Sequence, residues 1–273
     1  MSAVARMTGR LLHRGIAGLL SLLLAVALFE LVQPPVADSL GGPEGLEPLL
    51  RTLPKGLLAI TRTQPEFIAI SGLAGYLSVS FTHPIYLVLV SATAVGFACR
   101  SLAGEMERGT IQIALARPIS RPRVYLARVL GLAVVAVALG IVGPVGLLLG
   151  MAVGRPEGDF TYANLVPTGV TTLLLAWAIG GLTLLGSAAA TTSGRAVGWA
   201  IAGLIASYFI DYFARIWAFL EPIEPLSVFN YYDPATALVS GTVRLADALV
   251  LVALGAIGVL GGLVVFARRD LPT

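Results

Sequence analysis

Charge is what this 273-residue chain has least of. Charged residues make up 12% of it, about half the share usual in a soluble domain. Hydrophobic residues make up 57%, and the mean hydropathy is +0.88. A water-soluble globular domain is excluded, and an integral membrane protein is indicated. Lysine is nearly absent: Lys55 stands alone, and there is no G-x-x-x-x-G-K-[ST] run, so the chain has no P-loop with which to bind ATP. Histidine occurs twice, at His13 and His83, far apart in sequence, and neither H-E-x-x-H nor G-x-S-x-G is present. A histidine-based metal site or catalytic triad is thereby excluded. His83, just before Pro84, reads as a residue of the membrane interface. The single cysteine, Cys99, excludes an intrachain disulfide, and its place in an apolar run marks it as a small packing residue. The net charge of +3 comes from arginines spread along the chain, which leaves no footprint for nucleic acid.

What the chain does have is long apolar runs. Six of them, at 15–32, 82–101, 127–152, 165–190, 196–218 and 246–267, are rich in Leu, Val, Ala and Gly. About 20 such residues cross the hydrocarbon core, and lipid offers backbone groups no partner, so the runs must be helices. The fold class that follows is an all-α integral membrane protein: a single transmembrane domain, 1–273, with six transmembrane helices. The run at 15–32 follows Arg6, Arg10 and Arg14 but exceeds a signal-peptide core, and it reads as an uncleaved span. The span centres are free of ionisable residues. Glu30, Asp211 and Arg215 are expected near span ends, within reach of headgroups, with Asp211 and Arg215 spaced to pair on one helix face. A proton-coupled transporter would hold a carboxylate or histidine at mid-membrane, so this pattern speaks against secondary transport. Gly146 with Gly150, and Gly258 with Gly262, form small faces that let helices approach closely.

The arginines set an orientation. If both termini are cytoplasmic, that side holds twelve of the eighteen basic residues and three of the fifteen acids. Its balance is +9 against −6 for the other side, as the positive-inside rule requires. The external side is then irregular. In the region 33–81, prolines at 34, 35, 43, 48, 54 and 65 exclude a long helix through 33–66. Leu46, Leu49, Leu50, Leu53 and Leu57 nevertheless recur at helical spacing, which suggests short amphipathic helices on the outer leaflet. "FIAISGLAGYLSVSF" (67–81) is apolar but interrupted, and reads as interfacial, re-entrant or the start of the second span. A second external segment, 220–243, carries Phe229, Tyr231 and Tyr232 and fits a re-entrant-like dip at headgroup level.

One stretch does not look like membrane: "GEMERGTIQIALARPISRPR", 104–123, between the second and third spans. Glu105 and Glu107 precede a short helical run at 110–116, where acids favour the positive end of a helix. Gly109 allows a sharp change of direction. Pro118 and Pro122 end the run, and Arg117, Arg121, Arg123 and Arg128 return the chain to the headgroups. The product is a short helix held between two spans and projecting from the membrane.

This stretch resembles the hallmark of the type-2 permease subunits of ABC transporters. There "E-x-E-R-G-T" is followed by "L-L-A-x-P-[IV]-S-R" between spans two and three of six; the chain reads "GEMERGTIQIALARPISR" at that place. The resemblance is sharp over about 18 residues, and the six-span layout and the "YYDP" connection are similar across the whole chain. It implies that segment 102–126 is a cytoplasmic coupling helix docking on a separate ABC ATPase subunit. By match, Glu105, Glu107, Arg108, Gly109 and Thr110 form the elbow and docking contacts, followed by Arg117, Pro118, Ser120 and Arg121. It further implies two ATPase copies, which bind the ATP and Mg, and a second permease in a homodimer or heterodimer. The chain itself would be non-catalytic and carry no cofactor. Its partners would include membrane lipids but no nucleic acid, its place the inner (cytoplasmic) membrane, and its usual task export. The segment around Arg6, Arg10 and Arg14 would lie along the inner surface. The competing reading is an ATP-independent intramembrane enzyme or a lipid-binding scaffold; the first wants convergent polar residues at one depth, and the second needs no such elbow.

The orientation is checked by cysteine accessibility in intact cells on a Cys99-free background. Cysteines at Glu44 or Glu157 are expected to be labelled from outside, and cysteines at Arg108 or Arg195 spared. Labelling at Arg108 would overturn the six-span topology.

Overall fold

The structure is a computed structural model that describes residues 3–42, 65–115 and 119–269, with isolated positions 45, 52, 56 and 58 between them. It is all-helical, without strands among the described residues. Among the described residues, six helices are long and apolar enough to cross a membrane. In chain order the α-helices are α1 (Ala3–Arg14), α2 (Ile16–Ser39), α3 (Pro65–Thr82), α4 (Pro84–Ser101), α5 (Ala103–Glu107), α6 (Thr110–Leu115), α7 (Arg121–Gly154), α8 (Leu165–Ala189), α9 (Ser193–Ala214), α10 (Pro234–Ser240) and α11 (Leu245–Arg268). The leucines that suggest amphipathic helices over 46–57 lie outside the described residues.

Burial orders the bundle. In the span that includes α8, 61% of the most apolar stretch is buried, against 11% in α2 and in α9. The centre is α8, packed on α4, α7 and α11. On the periphery, α2 and α9 turn Leu20, Leu24, Trp199 and Ile205 outward, as helices facing lipid do. With about 1.5 Å rise per residue, the 34 residues of α7 extend ~51 Å, well beyond a hydrocarbon core of about 30 Å. α1 is amphipathic: Met7 and Leu12 pack against the core, Arg6 and Arg10 face out, and buried Thr8 donates to the Ala127 carbonyl of α7 at 3.1 Å.

Helices meet where glycine removes the side chain between backbones. A Cβ on Gly146 would lie 2.4 Å from the Ala27 carbonyl, and one on Gly150 2.4 Å from that of Leu31. Gly258 faces Gly181 so closely that a Cβ would lie 2.3 Å from the Gly181 carbonyl carbon. Both small faces seen in the sequence are therefore filled within one chain.

Two expectations are corrected. The first span does not stop before the prolines: α2 runs through Pro34 and Pro35 to Ser39. The prolines fit because α7 presents Gly150 and Gly154 to them; a Cβ there would meet the Pro34 ring at 2.8 Å and the Pro35 nitrogen at 2.6 Å. Inside a membrane bundle, neighbouring helices absorb what a lone helix could not. Because α2 is longer, Glu30 lies inside the span, not at its end. It is 0% exposed, accepts a hydrogen bond from Ser80 at 2.7 Å, and has no partner for its other oxygen. The spans thus do hold a buried carboxylate. Asp211 and Arg215 pair as their spacing suggests, at 3.1 Å.

Residues 67–81 resolve into α3, a separate helix interrupted at Gly72 (φ 56°) and buried through Ile68, Leu73, Leu77 and Phe81. His83 divides it from α4. Its extended backbone lets the His83 ring accept from the Ile85 amide, which leaves the Phe81 carbonyl to another donor. That donor comes from the segment between α9 and α11. Tyr232 donates to Phe81 at 3.2 Å, Thr172 bonds Tyr232 at 3.2 Å, and Tyr86 bonds Thr172 at 3.1 Å. The segment 220–243 therefore reaches into the bundle and docks on the break between α3 and α4.

The glycine contact between α8 and α11 generates a stability test. Gly258→Val should lower the melting temperature of the purified protein in detergent, with a loss of about 1–3 kcal/mol or more. Gly198→Ala, where a Cβ meets nothing within 4 Å, should stay within about 0.5 kcal/mol of wild type. Equal melting curves for the two would show that the helices do not pack at that distance.

Candidate functional site

The charged segment begins with a break. Leu102 leaves helical geometry (φ −126°, ψ −70°), so α4 ends and α5 starts at a new angle. Such a break strands backbone groups, and unpaired groups in a dry setting are costly. Side chains from two other helices take them up. Ser187 of α8 accepts from the Ala103 amide at 2.9 Å and donates to the Ala98 carbonyl at 3.2 Å. Arg128 of α7 donates through Nε to the Ser101 carbonyl at 3.1 Å and through Nη1 to the Val124 carbonyl.

Arg128 is also the counter-charge. It is 1% exposed, the largest fully buried side chain among the described residues, and its Nη2 donates to Oε2 of Glu105. The other Glu105 oxygen accepts from Arg14, at the end of α1, at 3.3 Å. Glu105, grouped with the docking residues by the resemblance, is buried and points into the protein. Two residues on, Glu107 is exposed and accepts from the Ser193 amide at 3.0 Å and from the Ser193 hydroxyl. The acid that complements a helix N-terminus here serves α9, not the run at 110–116. Its negative charge at that terminus is favourable both as a cap and against the helix dipole.

Beyond Glu107 the chain turns. Arg108 is exposed. Gly109 sits at φ +67°, a conformation residues with a Cβ rarely take, and α6 follows. Thr110 donates back to the Glu105 carbonyl at 3.3 Å. Arg117 and Pro118 lie outside the described residues. Ser120 is exposed and takes the N-cap position of α7 without a side-chain cap.

Arg121 ends the segment by donating to the Arg269 carbonyl at 2.7 Å and to that of Ala267 at 3.3 Å. Arg269 donates in turn to the carbonyls of Ala188 and Ala190, at 2.8 and 2.6 Å. Two arginines thus take the free carbonyls at the C-terminal ends of α11 and α8, where positive charge is favoured. The expectation that Arg121 and Arg128 turn to headgroups is corrected: both are spent on the protein, whereas Arg123 is exposed.

The segment is therefore bonded at its root to α1, α7, α8 and α9, through Arg14, Arg128, Ser187 and Ser193. Ser187 and Ser193 were not marked in the sequence. Their only signal there is polarity near the end of one apolar run and the start of the next. Arg128 could have been found as a charge already one residue inside the third run. No cluster of His, Cys, Asp and Glu able to hold a metal occurs among the described residues.

The ion pair gives a sharp test. Arg128→Met leaves Glu105 buried against a methionine, and breaking one side of a buried pair costs about 3–5 kcal/mol. The double variant Glu105→Gln/Arg128→Met should recover a large part of that loss, a coupling readable in a double-mutant cycle of melting curves. Arg123→Ala should change stability by less than about 0.5 kcal/mol. Additive losses in the cycle would mean that the two side chains do not interact.

Compared with known proteins, residues 59–271 match a family model described as "ABC-2 family transporter protein". No curated protein matches the chain.

Proposed function

The chain belongs to the ABC-2 transporter family, and from that premise we propose that it is the permease subunit of an ATP-driven exporter. It forms the translocation path together with a second permease, identical or related. Segment 102–126 is its coupling element, docking on a separate ATP-hydrolysing subunit present in two copies, which binds the ATP and Mg. The arginine-rich end, with both termini, lies in the cytoplasm of a cell whose inner membrane the six spans cross, as the positive-inside rule favours. The chain carries out no chemistry itself.

The observation that supports this most is the wiring of the segment. A handle must be accessible where it is gripped and stiff where it is attached. Arg108 and Ser120 are exposed and Gly109 makes the turn, while Glu105, Ser187 and the Arg128 guanidinium are closed off from water. A push on α6 is thereby passed to α1, α7, α8 and α9 together.

The residues at the tip divide in their roles. Arg108 is exposed, so its removal should leave the permease folded. Glu107 also caps α9, so its removal touches the fold as well. Co-expressed with its cognate ATPase, the chain should copurify as a complex with two copies of each, and purified alone it should hydrolyse no ATP. Arg108→Ala should keep the wild-type melting temperature and weaken ATPase association by about tenfold or more. Gly109→Val should also weaken association, because a β-branched side chain is strained at φ > 0 and drives the turn out of its shape. Wild-type complex yield and hydrolysis rate in both variants would show that the segment is not the handle.

A further inference from the structure

At the arginine-rich end, a cavity of about 360 Å³ opens between α1, the first turns of α2 and the root of the charged segment. Its lining joins the apolar Leu12, Leu19 and Phe97 to the cationic Arg14, Arg100 and Arg108. Arg100 reaches the cavity across bare backbone: a Cβ on Gly15 or Gly18 would lie 3.3 or 3.2 Å from its guanidinium.

The charges around this cavity do not balance. Glu105 is the carboxylate among its lining residues, and it is already shared between Arg14 and Arg128. Arg100 forms no ion pair among the described residues. Glu107 accepts from Ser193, and its carboxylate remains the neighbouring counter-charge of Arg108, so Arg100 is the guanidinium left without one. An uncompensated guanidinium in a concave site attracts an anion, and its planar donor fork matches phosphate oxygens. The cavity also lies where the amphipathic α1 gives way to the lipid-facing α2, whose Ile16, Leu20 and Leu24 are exposed. Apolar lining at such a place suits an acyl chain, which a free anion does not have.

We propose that this cavity binds the phosphodiester headgroup of an anionic membrane phospholipid, with Arg14 and Arg100 on the phosphate and the acyl chain against Leu19 and Phe97. Basic pockets between helices at the membrane boundary recognise lipid headgroups by this chemistry. The bound lipid ties α1 to the charged segment through Arg108. The inference requires only the cavity and a membrane, and holds whether or not an ATPase docks nearby.

Native mass spectrometry of the full chain in mild detergent, titrated with phosphatidylglycerol or phosphatidylcholine, tests it. Phosphatidylglycerol should be retained in preference, one molecule per chain at low lipid. Arg100→Gln, which breaks no ion pair and should keep the wild-type melting temperature, should weaken that retention by about tenfold. Adding Arg14→Gln should weaken it further. Arg195→Gln, at the same end but bonded to Thr191 outside the cavity, should leave it unchanged. Equal retention of the two lipids, wild-type retention in Arg100→Gln, or an equal loss in Arg195→Gln would each overturn the proposal. Excess inorganic phosphate should fail to displace the lipid; displacement would assign the arginines to a free phosphate anion and overturn the lipid as occupant.

Discussion

Glu105 and Arg128 form a buried ion pair, and much of the arginine-rich end is arranged around their contact. Two buried charges are tolerated only when each hydrogen-bonding site is used. Here the guanidinium has acceptors on three of its nitrogens: the Ser101 carbonyl, the Val124 carbonyl and the Glu105 carboxylate. Those acceptors belong to the second span, the third span and the charged segment. One side chain therefore fixes the relative position of all three. Arg14 then brings in α1 through the second Glu105 oxygen, and the turn at Gly109 starts from a root that cannot shift.

The same accounting governs the other irregular places. At several breaks and ends inside the protein, stranded groups are met by a side chain from a distant part of the chain. Ser187 serves the break at Leu102, Tyr232 the break at His83, and Arg121 and Arg269 the ends of α11 and α8. Regular stretches need no such help and can bring backbones together through glycine, as Gly146 and Gly150 do against α2. Polar side chains at the breaks and glycine between them divide the labour of packing.

The spans were legible because each is a long run nearly free of charge, a demand lipid makes of any crossing helix. The charged segment was legible because its composition departs from everything around it. The inward or outward direction of its acids was not. Glu105 and Glu107 lie two positions apart, about 200° around a helix, and no period in the sequence says which of them turns toward Arg128, 23 residues away. Glu30 was misplaced because two prolines in a row read as a helix end. Only the glycines on α7, more than a hundred residues further on, show that the helix can continue. Long-range partners of this kind leave no local pattern.

The order in which these partners are made has a consequence for biogenesis. Arg14 precedes Glu105, so one contact is available as soon as the charged segment leaves the ribosome. Arg128 follows 23 residues later, but Ser193, which receives Glu107, comes 86 residues after it. At a synthesis rate of about 5–20 residues per second, that gap is roughly 4–17 s. For that interval the segment hangs from a half-built bundle, its two acids held at one end only. Its root is fully bonded only when the fourth and fifth spans arrive, after the first three spans have been made.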